Sequence, residues 1–221
     1  IMQDHLEVCE AAARAGGRVL GDWLGRFAVS NKGPRDLVTE ADLASQREIR
    51  RIVLGAFPEH GFIGEEAMEA ATPGFDPARP EPELRWFVDP LDGTREFLAH
   101  NGEFTINIGL VRNGAPVAGA VYAPAFGRLW WGGTQAFGAH LTQGQPFPSS
   151  QDSSVLRTRP AASPLVALQS RSHQTPQTRA AMARLAPVLS RPMGSSIKFC
   201  LIASGEADVS VRFGPTMEWD T

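Results

Sequence analysis

The run from Asp89 to Thr94, Asp-Pro-Leu-Asp-Gly-Thr, constrains this chain more than any other segment. It ends an apolar stretch, 84–89, that has the character of a strand, and a proline then interrupts the ladder because it has no N–H group to donate. Gly93 permits a tight turn into a helix that begins at Thr94. The run therefore predicts a strand–turn–helix junction that carries two carboxylates, Asp89 and Asp92.

Carboxylates three residues apart on such a turn can point at one spot. Close like charges are costly unless a cation neutralises them, and an all-oxygen ligand set suits Mg²⁺. The amides of Gly93 and Thr94, at the start of the helix, are suited to hold a phosphate. Taken alone, Asp-x-x-Asp-Gly favours an ordinary surface turn capped by a carboxylate, so the rest of the chain has to decide.

Hydrophobic periodicity predicts a first helix from Asp4 to about Phe27, a loop over 28–38, and a second helix after an N-cap at Thr39. Asn113-Gly114 predicts a hairpin turn. The remaining predicted strands are 62–64, 84–89, 104–111, 116–122, 129–131, 136–141, 165–169 and 207–213, and the remaining helices are 177–185 and 196–204. Helices, then a meander, then alternating elements predict an α+β fold built as a layered sandwich.

Composition narrows the class of function. A net charge of −3 argues against non-specific binding to nucleic acid or to an anionic membrane. No apolar run approaches the roughly 20 residues of a membrane span, and the 5 histidines lack the paired spacing of a zinc site. Cys9 and Cys200 lie in apolar stretches, which favours buried, reduced thiols and a cytoplasmic location.

The acidic run belongs to a set of three runs that follow one another along the chain. They are 62–66 (Phe-Ile-Gly-Glu-Glu), 86–94 (Trp-Phe-Val followed by the acidic run), and Trp219-Asp220. Together with 36–42 (Asp-Leu-Val-Thr-Glu-Ala-Asp), this set resembles the inositol monophosphatase superfamily, the lithium-sensitive phosphatases. The resemblance spans nearly the whole chain and implies a single phosphatase domain, 1–221, with an α-β-α-β-α sandwich fold and subdomains at about 1–160 and 161–221.

The resemblance also implies roles for individual residues. The family hydrolyses phosphate esters with two or three Mg²⁺ ions and direct attack by water. The matching metal ligands are Glu65, Asp89, Asp92, Asp220 and the Leu91 carbonyl. Asp42 and Thr94 match the pair that orients and deprotonates the water, with Glu65 beside them in the catalytic set, and Gly93 and Thr94 match the amides that hold the phosphate.

Several runs resemble one branch of the superfamily, the 3′(2′),5′-bisphosphate nucleotidases. They are 101–108, 170–173, 194–200 and 214–221, and Glu96 stands where inositol monophosphatases usually carry Asn. The implied substrate is 3′-phosphoadenosine 5′-phosphate, a by-product of sulfate activation. Its second phosphate and its adenine would need further contacts, for which the chemically suited residues are Arg171, His173, Ser195, Ser196 and Lys198.

Alternatives remain open at this point. Lys198 is equally compatible with a solvated helix lysine, a lone loop histidine such as His173 more often has no specific role, and Trp130-Trp131 fits core or interface packing better than a platform for the base. The chain could instead hydrolyse inositol monophosphate or another small sugar phosphate. It could also be a catalytically silent nucleotide- or metal-binding protein, although every matched catalytic position is filled.

Two expectations concern assembly. The family is often dimeric, and an exposed strand around Trp130 could serve as the interface. The family's tryptophan–aspartate pair opens a helix, so we expect the natural chain to continue beyond Thr221, with a C-terminal part missing from this sequence. With no helix behind it, Asp220 is expected to be poorly placed.

Overall fold

The computed structural model describes residues 2–24, 29–31, 37–66, 82–141, 153–171, 174–185 and 187–220. Its helices are α1 (Met2–Trp23), α2 (Glu40–Ala56), α3 (Thr94–Leu98), α4 (Pro176–Ala183) and α5 (Ile197–Ala203). Its strands are β1 (Val29–Asn31), β2 (Leu37–Thr39), β3 (Gly61–Gly64), β4 (Leu84–Asp92), β5 (Thr105–Arg112), β6 (Ala115–Ala123), β7 (Arg128–Gly132), β8 (Ala136–His140), β9 (Ser154–Val155), β10 (Leu165–Gln169), β11 (Val188–Pro192) and β12 (Val209–Ser210). Short 3₁₀ turns occur at Pro124–Phe126 and Glu218–Asp220.

The larger sheet has seven strands in the sequential order β3 to β9. All neighbours in it are antiparallel except β3 and β4, which are parallel. The parallel pair matters for function because parallel strands end at the same edge of a sheet. Gly64 is the register partner of Val88, so the residues that follow β3 meet the acidic end of β4.

Helices α1 and α2 pack on each other and on β4, β5 and β6 of the larger sheet. Two adjacent glycines make this approach possible. A Cβ atom on Gly16 would lie 2.9 Å from the Ile49 side chain, and one on Gly17 would lie 2.5 Å from the Tyr122 ring. The glycine pair that weakens α1 as an isolated helix therefore lets it reach α2 and the sheet.

Helix α5 lies between the larger sheet and a parallel sheet of three strands. Ile197 and Cys200 pack with Ala123 and Trp130 of the larger sheet. Leu201 and Ile202 pack with the parallel three-stranded sheet β11-β10-β12. These are the first four layers of the predicted α-β-α-β-α sandwich, and the predicted α+β class is confirmed.

Several sequence-based boundaries need correction. Within 28–38, predicted as a loop, β1 and β2 form an antiparallel pair. Strand β11 was not predicted, and the strand predicted over 207–213 is limited to β12. Helix α1 ends at Trp23 rather than near Phe27. The Asn113-Gly114 hairpin is confirmed, with both residues at positive φ, 50° and 81°.

The strand around Trp130 is not exposed, contrary to the expectation for a dimer interface. β7 lies between β6 and β8, and Trp130 and Trp131 are only 4% and 9% exposed. Core packing, the alternative left open for these tryptophans, is what the structure shows. Cys9 and Cys200 are free and buried, as predicted. No helix in the described part of the chain is both long enough and apolar enough to cross a membrane.

Candidate active site

Strand β4 does not stop at Asp89, as the proline had suggested. Pairing with β5 is interrupted after the Asp89–Asn107 pair and resumes at Asp92 with Thr105. The bulge has a local cause, because Pro90 has no N–H and the next amide, that of Leu91, donates to Asp89 Oδ1 at 3.0 Å instead of to a strand. The bulge places both carboxylates on one short segment at the end of the strand.

The turn after Asp92 is fixed by Gly93, which adopts φ 94°. This left-handed conformation is unfavourable for any residue with a Cβ atom, so glycine suits the position. Thr94 then opens α3, and its hydroxyl donates to the Leu91 carbonyl at 3.3 Å. The predicted strand–turn–helix junction is present, and the hydroxyl, the carbonyl and the two carboxylates all belong to it.

Three carboxylates meet at this junction. Oxygen atoms of Asp89, Asp92 and Asp220 lie within 4.8 Å of one another. The expectation that Asp220 would be poorly placed is therefore wrong. The 3₁₀ turn Glu218–Asp220 holds it, because Met217 N–H donates to Asp220 Oδ2 at 3.2 Å and Asp220 N–H donates to the Met217 carbonyl at 3.1 Å.

Glu65 joins the group from the neighbouring strand. Its amide donates to the Val88 carbonyl at 3.0 Å, and its carboxyl hydrogen-bonds to Asp89. Gln46 of α2 fixes this turn from below, with Nε2 donating to the Glu66 carbonyl at 2.7 Å and Oε1 accepting from the Glu66 amide at 3.0 Å. Gln46 was not predicted, since a single buried glutamine in an amphipathic helix gives no sequence signal.

The electrostatics of the cluster indicate a cation site. Burial and then the charges of Asp92, Glu65 and Asp42 raise the pKa of Asp89 well above its usual value. The pKa of Glu65 is raised to about 7, mainly by burial of its carboxyl group, although the residue as a whole is exposed. Like charges this close destabilise each other unless a cation lies between them, and carboxylate oxygens suit a hard divalent ion. The residues present therefore fit the predicted metal.

Asp92 is supported from β5 and from the start of α5. The Ser196 amide donates to its Oδ2, and Thr105 Oγ1 and Asn107 Nδ2 lie 3.5 Å from the same atom. The Ser196 hydroxyl donates to Asn107 Oδ1 at 2.7 Å. Thr105 and Asn107 were missed, although they are the polar, buried members of an otherwise apolar strand, and that alternation was a usable signal.

The other predicted residues lie around this core. Asp42 is 2% exposed in the first turn of α2. Lys198 points inward, with its Nζ donating to the Ser195 carbonyl and, at 3.4 Å, to the Met193 carbonyl. Burial lowers the pKa of Lys198, and the nearby Asp92 charge opposes that shift. Arg171 pairs with Glu103, and His173 lies outside the described residues.

The sequence matches the inositol monophosphatase family over residues 2–221. The chain belongs to this family. It is 34% identical over 220 residues to the 3′(2′),5′-bisphosphate nucleotidase CysQ of Escherichia coli strain K12, a match that covers 97% of this chain and 82% of that protein. Over a shorter region, 143 residues, it is 38% identical to a fructose-1,6-bisphosphatase/inositol-1-monophosphatase of Aquifex aeolicus, covering 63% of this chain and 51% of the relative.

The structure agrees with this family. It resembles the crystal structure of CysQ from Bacteroides thetaiotaomicron with a TM-score of 0.77 and 31% identity, over 99% of this chain and 83% of that one. The family is metal-dependent, and the acidic cluster at the end of β4 is the place in the described residues where this chain could bind a metal. The chain is a phosphatase of this family.

Proposed function

We propose that this chain is a Mg²⁺-dependent 3′(2′),5′-bisphosphate nucleotidase that converts 3′-phosphoadenosine 5′-phosphate and water into AMP and phosphate. The observation that carries the proposal is the convergence of Asp89, Asp92 and Asp220 within 4.8 Å beside the Gly93–Thr94 turn. This arrangement supports a cation site and a phosphate-binding helix start close to each other. The similarity to bisphosphate nucleotidases over 97% of the chain supports the substrate class.

Glu65, Asp89, Asp92, Asp220 and the Leu91 carbonyl would hold two or three Mg²⁺ ions. Bound there, the ions would lower the pKa of a water molecule and stabilise charge on the phosphoryl and leaving oxygens. The acidic cluster has the charge to hold them, and the buried supports of Asp92 keep its carboxylate in one orientation.

The chain's own residues would then handle water and phosphate. The Gly93 and Thr94 amides bind the phosphoryl oxygens, the Thr94 hydroxyl orients the attacking water, and Asp42, assisted by Glu65, accepts its proton. The water oxygen forms the new bond to phosphorus as the bond to the 3′ oxygen breaks, and that oxygen takes a proton from solvent. No phosphorylated residue forms.

Arg171, His173, Ser195, Ser196 and Lys198 remain our candidates for contacts to the rest of the nucleotide. They are not equivalent. Arg171 keeps 41% of its side chain exposed, whereas the Ser196 hydroxyl is committed to Asn107 and Thr105. Arg171 and the Ser195 hydroxyl are therefore the better candidates for contact with the 5′-phosphate. Ser196 would act indirectly, through its hydrogen bonds to Asn107 and Thr105.

A phosphate-release assay with a substrate panel tests the proposal. With Mg²⁺ present, we expect kcat/KM for 3′-phosphoadenosine 5′-phosphate to exceed that for inositol 1-phosphate by well over about tenfold. Comparable efficiency on both would favour the alternative, a phosphatase for inositol or other sugar phosphates. Nucleotide binding with no phosphate release from any ester would identify a catalytically silent binding protein.

We further propose that the enzyme acts in the cytoplasm, where it removes a by-product of sulfur metabolism. We also propose that Li⁺ inhibits the enzyme. Li⁺ is close to Mg²⁺ in size but has half its charge, so it can occupy an oxygen site without giving the same stabilisation to the leaving group. The check is the rate in Li⁺ against the rate in an equal concentration of Na⁺. Equal rates would contradict the inhibition.

A further inference from the structure

Glu103 lies just before β5, next to the cluster. It falls within the run 101–108, but the sequence suggested no role for it. Its carboxylate is shared between two partners. Oε1 accepts from Arg171 Nη2 at 2.5 Å, and Oε2 accepts from the Gly194 amide at 2.7 Å. Its side chain is only 12% exposed, whereas that of Arg171 is 41% exposed, so the bond to the Gly194 amide is the better shielded of the two. Charge-assisted bonds in such a setting are stronger than neutral ones.

The main chain of Glu103 is equally close to the site. A Cβ atom on Gly93 would lie 3.0 Å from the Glu103 carbonyl oxygen, and one on Gly194 would lie 2.8 Å from the same oxygen. The segment that carries Glu103 is therefore wedged between the turn that holds the phosphate and the turn that leads into α5. Asn101 fixes it locally, because Asn101 Oδ1 accepts from the Glu103 amide at 2.9 Å.

The turn that Glu103 holds leads directly to Asp92. Two residues after Gly194, the Ser196 amide donates to Asp92 Oδ2. Ser195, between them, has φ 48°, an uncommon conformation for a residue with a side chain, which needs support from its surroundings. The Glu103–Gly194 bond is one such support, so the carboxylate of Glu103 is connected to the orientation of Asp92 through three consecutive residues.

We propose that Glu103 is a positioning residue with two roles. It holds the Gly194–Ser196 turn against Asp92, and it orients Arg171 for the distal phosphate of the substrate. The second role rests on the proposed function, and the first does not. Within the described part of the chain, Arg171 is seen to donate to Glu103 through Nη2, and 41% of its side chain is exposed. One carboxylate thus sets both a metal ligand and a recognition residue.

Four variants test the proposal: Glu103→Ala, Glu103→Gln, Arg171→Ala and the double variant Glu103→Ala/Arg171→Ala. We expect Arg171→Ala to raise KM by about tenfold with kcat unchanged, and Glu103→Ala to raise KM similarly and lower kcat by about tenfold. The double variant should have the KM of Glu103→Ala alone, because residues that act as a unit are not additive. Glu103→Gln, which keeps one acceptor oxygen, should recover part of the loss.

Hydrogen exchange separates this proposal from the identity of the substrate. Glu103→Ala should lose protection at the Gly194 and Ser196 amides, whereas Arg171→Ala should keep it. Glu206→Ala is the matched control, because Glu206 also pairs with an arginine, accepting two hydrogen bonds from Arg128 at the other end of α5. Unchanged protection and kcat in Glu103→Ala, or equal changes in Glu206→Ala, would overturn the positioning role. If the wild-type protein were inactive on the nucleotide, only the proposed function and the role of Glu103 in orienting Arg171 would be contradicted.

Discussion

At the scale of single residues, Asp89 is a buried carboxyl group at the centre of the acidic cluster. It is 2% exposed, and burial and three neighbouring carboxyl groups raise its pKa. A side chain under this repulsion is retained for function rather than for the fold. Asn keeps its shape and one acceptor oxygen for the Leu91 amide, but removes the charge that a cation needs.

We therefore predict that Asp89→Asn lowers the rate of phosphate release by at least about a hundredfold, since metal ligands contribute several kcal/mol to such reactions. In metal-free buffer its melting temperature should equal or exceed that of the wild type, because like-charge repulsion is relieved. Calorimetry with and without EDTA measures both states. A variant that keeps near-normal activity and Mg²⁺ affinity would show that the metal site lies elsewhere.

Gly64 gives a second residue-level prediction. A Cβ atom at Gly64 would lie 2.0 Å from Gln46 Oε1, and the Gln46 amide cannot move without losing its two bonds to Glu66. Gly64→Ala should lower the free energy of unfolding by about 1–3 kcal/mol and weaken Mg²⁺ binding through Glu65. Gly55→Ala in α2 is the control, because nothing lies within 4 Å of a Cβ there. It should stabilise by about 0.5–1 kcal/mol, as urea unfolding will show.

What the sequence could reveal at this scale depended on residue chemistry. Carboxylates next to proline and glycine stand out, so Asp89 and Asp92 were predicted from the residues themselves, whereas Asp220 was implied only by the resemblance to the family. The structure brings the three together. Residues that support the cluster, such as Gln46 and Glu103, act through contacts between segments far apart in the chain. Such contacts leave no local pattern, and only the fold identifies them.

At the scale of elements, α1 carries an unusual buried acid. Glu10 is 1% exposed, and its Oε2 has no hydrogen-bond partner among the residues that the structure describes. Burial raises its pKa from 4.5 to about 9, with the charge of Glu7 adding to the effect and that of Arg14 opposing it. The helix that covers the larger sheet therefore holds this carboxyl in its neutral form at ordinary pH.

This arrangement predicts a pH dependence of stability with a definite sign. Between pH 4.5 and about 9 the unfolded chain loses the Glu10 proton while the folded chain keeps it, so this group makes the free energy of unfolding fall as pH rises. Glu10→Gln has no proton to lose, and its stability gain over the wild type should be near zero at pH 4.5 and grow toward pH 9. Urea unfolding at several pH values measures it. A gain that is constant or shrinks with pH would contradict the assignment.

Elements were predicted well where their pattern is self-contained. The helix after Thr39 and the Asn113-Gly114 hairpin need only local capping and turn chemistry, and both are confirmed. The short strands β1, β2 and β11 depend on partners elsewhere in the chain, so their sequences carried too little signal. The strand ending at Asp89 was cut short because Pro90 was taken as an end, whereas the structure accommodates it in a bulge.

At the scale of the whole molecule, the acidic cluster collects ligands from distant parts of the chain. Glu65 follows β3, Asp89 and Asp92 end β4, and Asp220 lies in the last described turn. Without a cation, their repulsion pushes these segments apart. A bound cation would instead link the segments. Metal binding should therefore be coupled to the stability of the whole fold and not only to catalysis.

We predict that Mg²⁺ raises the melting temperature of the wild type in a concentration-dependent way. At a hundred times the dissociation constant the gain is about 2.7 kcal/mol, or about 5–10 °C for a chain of this size. The gain should be lost on adding EDTA and absent in Asp89→Asn. Mg²⁺ should also slow proteolysis between Arg212 and Asp220, because the Asp220 carboxylate is held locally by its own turn and by an Arg212 nitrogen 4.0 Å away. Equal stabilisation of Asp89→Asn, or proteolysis there that ignores Mg²⁺, would mean that the cation binds without joining these segments.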